Sequence, residues 1–184
     1  MLQYEEKIII KKILPGLLSA LNNEKLSPPI LQTFIDLMQS KKKKMTTNVF
    51  KNDIWPKLLK LMQGKSMPEQ TMYLLILHIK TFMEYLSVKE VTDHICPILL
   101  KAYECGNATL QSLAIVTSDY LAGKLDFVFT KNQMLPRILR LCQNKNANVQ
   151  KDAVICLGKI YNILDKTTIQ NQVLPALEKM RKLV

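Results

Sequence analysis

The sequence predicts an all-α fold, a HEAT/armadillo-type α-solenoid of about four helix pairs plus one terminal helix, and three observations predict it. A proline-centred motif recurs five times at a nearly fixed interval. The segments between its copies carry apolar residues at helical spacing. The composition, with only five Gly against nine Met among its 184 residues, favours helices and offers few places for tight β-hairpins.

The motif is two apolar residues, a proline, any residue, then an apolar residue that opens a helical stripe. Its copies are Ile13-Leu14-Pro15, Ile54-Trp55-Pro56, Ile95-Cys96-Pro97, Met134-Leu135-Pro136 and Val173-Leu174-Pro175. The prolines are separated by 41, 41, 39 and 39 residues, in or just below the period of HEAT and armadillo units and longer than that of ankyrin or tetratricopeptide units. Each copy therefore predicts an amphipathic A helix with one proline, whose residue at +2 should be buried: Leu17, Leu58, Leu99, Ile138 and Leu177. Where apolar periodicity begins before the proline, the ring lies inside the helix and should kink it; where it begins at the proline, the residue is the first of the helix.

A second apolar segment, the B helix, lies between successive A helices and follows a cap-and-turn signal each time, which provides an N-cap oxygen or a proline suited to the first turn: Ser27-Pro28-Pro29, Ser66-Met67-Pro68, Asn107 and Asn146-Ala147-Asn148. Measured from the preceding proline, Leu110 and Val149 share one offset, Ala114 and Ala153 a second, and Leu121 and Ile160 a third. The small residues Ala114, Ala153 and Gly158 read as points of close helix approach. The result is a single domain over 1–184, with repeats at about 4–40, 48–87, 90–123 and 129–165 and a half repeat at 168–182. That last helix lacks a B partner, whereas a solenoid normally ends in a polar-faced cap. The chain is therefore expected to be a fragment of a longer protein, or to have its carboxyl end covered by something else.

Several function classes find no support. Cys96, Cys105, Cys142 and Cys156 show no C-x-x-C pairing or zinc spacing and read as buried reduced thiols. There is no phosphate-cradling, zinc-protease or nucleophile-elbow motif. His78 and His94 have no evident catalytic partner. Trp55 stands where other copies have Leu or Cys, so it reads as core rather than as a stacking platform. No enzyme, metal or cofactor is expected. The lack of a leader pattern or a long uncharged apolar run points to the cytosol or nucleus.

The net charge is +11, which draws a chain toward acidic membranes, nucleic acid or acidic protein segments without choosing among them. Lys41, Lys42, Lys43 and Lys44 form the densest basic run. They read as a solvated, mobile connection between the first B helix and the second A helix, and as the candidate electrostatic contact.

The stretches Leu135-Pro136-Arg137-Ile138, Asn148-Val149-Gln150-Lys151 and Ile155-Cys156-Leu157-Gly158-Lys159-Ile160 resemble the HEAT consensus. Together with Leu164-Asp165-Lys166 and the segment from Ile95 to Tyr103, they resemble the helical region of the Scy-like pseudokinases. The likeness is best over about 91–182 and generic over 1–90. It implies a scaffold in vesicle traffic that links coat or adaptor proteins to Golgi or endosomal membranes. No Gly-rich loop or H-R-D of a kinase is present, so ATP binding does not follow.

Two function classes result. One is a non-catalytic scaffold that binds protein partners, a class that also contains transport receptors and phosphatase scaffolds. The other is a basic solenoid that binds acidic membrane or, less favoured, nucleic acid directly.

Overall fold

The structure is a computed structural model and describes residues 12, 14–21, 23–40, 45–64 and 67–181. Among them every regular element is helical and there is no strand. The chain divides into two compact units, Met1–His94 and Ile95–Val184.

The first unit holds α1 (Leu14–Ala20), α2 (Ser27–Gln39), α3 (47–63), α4 (Glu69–Leu77), α5 (Ile79–Met83) and the start of α6 (88–104). The second holds the rest of α6, then α7 (Ala108–Ala122), α8 (127–141), α9 (Ala147–Ile160) and α10 (166–181). In the second unit the A helices α6 and α8 touch one another, the B helices α7 and α9 touch one another, and each A helix packs on its own B helix. This is a two-layer arrangement with the apolar stripes between the layers. In the first unit α2 packs on α1, α4 and α5.

The proline lies inside a longer helix in α3, α6, α8 and α10, so the interior role is the one found. The residues just before it form a π-turn: Phe50–Ile54, Val91–Ile95, Thr130–Met134 and Ile169–Val173. The N–H of Trp55, Leu135 and Leu174 donates to the carbonyl five residues back, on Phe50, Thr130 and Ile169. The wider turn accommodates a ring that would otherwise meet the carbonyl four residues back. Those carbonyls belong to Asn52, Asp93, Asn132 and Asn171, all exposed. Water can therefore satisfy what the proline leaves unbonded.

The repeat register governs burial. Two residues before the proline, Ile54, Ile95, Met134 and Val173 are all buried. At +2, Leu58, Leu99 and Ile138 are fully buried, but Leu17 is only half-buried and Leu177 is exposed. The expected equivalence fails at both ends because α1 and α10 each lack, among the described residues, the neighbour that covers the same position in an interior helix. The B-helix pairs Leu110/Val149, Ala114/Ala153 and Leu121/Ile160 are all buried.

At α2 the proline carries the start signal: Pro28 stands in the first turn, and Ser27 makes no side-chain cap. The Ser27 N–H bonds the Asn23 carbonyl at 2.8 Å, which starts the helix earlier and turns the Ser27 hydroxyl onto Thr71 Oγ1, 3.0 Å away in the core. Ser66 lies outside the described residues, and α4 begins after Pro68 with no side-chain cap. The second B helix is broken at His78, where Gln39 donates to Thr81 Oγ1 at 2.9 Å and lies 3.3 Å from His78 Nδ1; the chain then turns so that Tyr85 Oη reaches the Met38 carbonyl. Gly158 is exposed, and a Cβ there would meet nothing within 4 Å, so it is no packing device.

Candidate functional site

The end of the second unit where α6 and α8 finish carries a polar concavity. It is an open cleft of about 590 Å³ lined by Tyr103, Glu104, Gln111, Arg140, Gln143 and Asn144 among others. Next to its lining residues in the chain, side-chain caps start the two B helices. The side-chain oxygen of Asn107 accepts from the N–H groups of Thr109 and Leu110 at 3.0 and 3.2 Å, and that of Asn146 from Asn148 and Val149 at 3.0 and 3.3 Å. Both asparagines are where the sequence places caps, and each satisfies donors that an uncapped helix leaves free.

One turn into α7, the Gln111 amide donates to the Tyr103 and Cys105 carbonyls at 3.2 and 2.6 Å. Its oxygen accepts from Asn144 Nδ2 at 3.2 Å. This amide relay ties the end of α6 to the loop after α8. Below it the Tyr103 hydroxyl pairs with Ser118 in the core. Burial pushes the Tyr103 hydroxyl above its ordinary pKa, so it stays protonated in the core.

The rim is charged. Glu104 receives Arg137 Nε at 3.0 Å and Arg140 at 3.7 Å, so one carboxylate faces two guanidinium groups and the rim remains positive. Arg140 is the fourth residue after Pro136. The same position is Lys101 in α6 and Lys179 in α10, and all three are exposed. The first unit has Lys60 at this position of α3, also exposed. Counting from the repeat's own proline would have found this basic row in the sequence; attention to the contiguous lysines missed it.

Lys41, Lys42, Lys43 and Lys44 lie outside the described residues. His94 packs edge-on to Trp55, ring centroids 5.9 Å apart. Trp55 is itself buried beside Phe50, whose ring also meets Phe82 and Tyr85, so Trp55 is a core residue. The His78 pKa is lowered by burial, with Asp36 pulling the other way.

Cys96, Cys142 and Cys156 are buried and Cys105 is half-buried. Burial raises the first three thiols to about 12, 11 and 12 respectively. They are neutral at physiological pH and poor nucleophiles. Among the described residues no group of three or more His, Cys, Asp or Glu could hold a metal ion, and no helix is long and apolar enough to cross a membrane.

No family model matches the chain.

Proposed function

We propose that the chain is a HEAT/armadillo-type α-solenoid that acts as a non-catalytic scaffold for protein partners. The observation that carries the reading is the shared register: equal distance from the repeat's proline gives the same burial in successive interior helices, as with Leu58, Leu99 and Ile138. Such stacking exposes long helical faces suited to partners rather than enclosed pockets. The resemblance to the Scy-like pseudokinase region supports coat or adaptor proteins as the partners, at Golgi or endosomal membranes.

The net charge of +11 supports a second reading, direct attachment to acidic membrane or nucleic acid. One experiment separates them. The full chain is immobilised and exposed to lysate that has been nuclease-treated and cleared of membranes, and any retained protein is purified and titrated back. Saturable binding by the purified protein supports the scaffold. Retention that disappears with the nucleic acid or the membranes counts against it.

A further inference from the structure

We propose that an exposed stripe of α9 docks an acidic amphipathic helix of a protein partner, which sets one large apolar side chain into the recess bounded by Val154, Leu157, Gly158 and Tyr161. The proposal names the partner chemistry of the scaffold and so rests on that reading. The four residues stand at i, i+3, i+4 and i+7, the pattern that forms a hole for a knob from a facing helix. Tyr161 continues the helix, its N–H on the Leu157 carbonyl. Val154 and Tyr161 are 39% and 46% exposed, and a Cβ on Gly158 would meet nothing within 4 Å. No part of the described chain therefore covers the hole.

One helix earlier the same stripe is covered. At the same distances from their own proline, Ile115, Ser118, Asp119 and Ala122 of α7 match the four residues of α9. Ile115, Ser118 and Ala122 are buried, and Asp119 accepts from Lys159 of α9 at 2.8 Å. The α7 stripe thus faces α9, which packs along it. Because α9 presents the same register outward, the α7–α9 interface continues into a surface shaped for one more helix. Gly158 is a second, independent indication. A glycine inside a helix costs the fold stability, and this one packs on nothing within the described chain; its missing side chain deepens the hole and lets a partner's backbone come close. Charge fixes the partner's sign. Lys151, one turn before Val154, is exposed, and the α7–α9 contact pairs a lysine of one helix with a carboxylate of its neighbour; an acidic residue on the partner helix repeats that pairing.

From Lys151 to Tyr161 the stripe is about 15 Å long and one helix, about 10 Å, wide. That suits a single helix and falls well short of the roughly 800 Å² per partner that a stable dimer buries, which disfavours a second copy. A lipid surface gains from projecting apolar side chains and nothing from a glycine recess between them.

The test uses the full chain and two fluorescent helical peptides of identical composition, read by anisotropy. One carries its Leu on a single face with Glu beside it, and the other has the same residues scrambled around the helix. The one-faced peptide should bind about tenfold more tightly, the factor that burying about two methylenes supplies. Gly158→Leu fills the hole and should remove that factor while melting no lower than the parent, so that lost binding is not lost folding. Lys151→Glu, a surface change, should weaken binding about threefold, the size of an exposed ion pair. Val116→Ser, at an exposed site of α7 outside the stripe, should change nothing. Equal binding of the two peptides overturns the proposal, as does unchanged binding in the Gly158→Leu variant. Tighter binding of anionic vesicles through Lys151, or self-association that Gly158→Leu abolishes, also overturns it. A purified protein partner that binds the Gly158→Leu variant as well as the parent would overturn this site while leaving the scaffold reading intact.

Discussion

Lys131 Nζ lies 2.9 Å from the Asp165 carboxylate, joining the π-turn of α8 to the residue that caps α10. The first unit has the same device, with Lys51 3.2 Å from Glu90 at the start of α6. Lys51 and Lys131 both stand five residues before their proline. One sequence position therefore ties an A helix to the amino-terminal turn of the next. These pairs are partly exposed, so their contribution is modest and lies in fixing register.

The pH dependence of this link follows from Asp165. The hydrogen bond from Lys131 and that from the Thr168 N–H lower its pKa to about 2, against an ordinary 3.8. A depressed carboxylate adds stability above its unfolded pKa and loses it as pH falls through the folded value. Denaturant melts should show Asp165→Asn less stable than the parent at pH 7. That gap should close between roughly pH 4 and pH 2. A gap unchanged at pH 2 would mean the loss came from the cap geometry and not from the charge.

Thr130 is fully buried and its Oγ1 has no hydrogen-bond partner among the described residues. The same register position is Phe50 in α3 and Val91 in α6, both buried. Thr130→Val replaces the unsatisfied hydroxyl with a methyl of equal size and should stabilise the fold by about 1–2 kcal/mol. A lower melting temperature would show that the hydroxyl is satisfied in solution.

Gly158 sits inside α9, exposed, with open space where a Cβ would go. Gly158→Ala should therefore stabilise by about 0.5–1 kcal/mol through backbone entropy alone. Chemical denaturation provides the check, and a loss of stability would restore the close-approach role that the sequence suggested.

Interior and terminal copies of one register position should differ in cost. Leu99→Ala and Ile138→Ala remove fully buried side chains and should cost about 2–5 kcal/mol. Leu177→Ala, at a position 37% exposed, should cost under about 1 kcal/mol. Equal losses at Ile138 and Leu177 would mean that the face of α10 is covered in solution.

The sequence by itself determined the helices, their order and the interior core. Apolar period, proline spacing and the caps at Asn107 and Asn146 act within a turn or two of the chain. Even the basic position shared by Lys60, Lys101, Arg140 and Lys179 was legible once counted from the prolines. Only the tertiary structure decided what depends on neighbours distant in sequence. Ser27 finds Thr71 across 44 residues, Gln39 and the broken helix at His78 meet across 39, and Leu177 is exposed where Ile138 is buried. Periodicity says which side of a helix is apolar; burial also needs a second surface to exclude the water, and that surface comes from elsewhere in the chain.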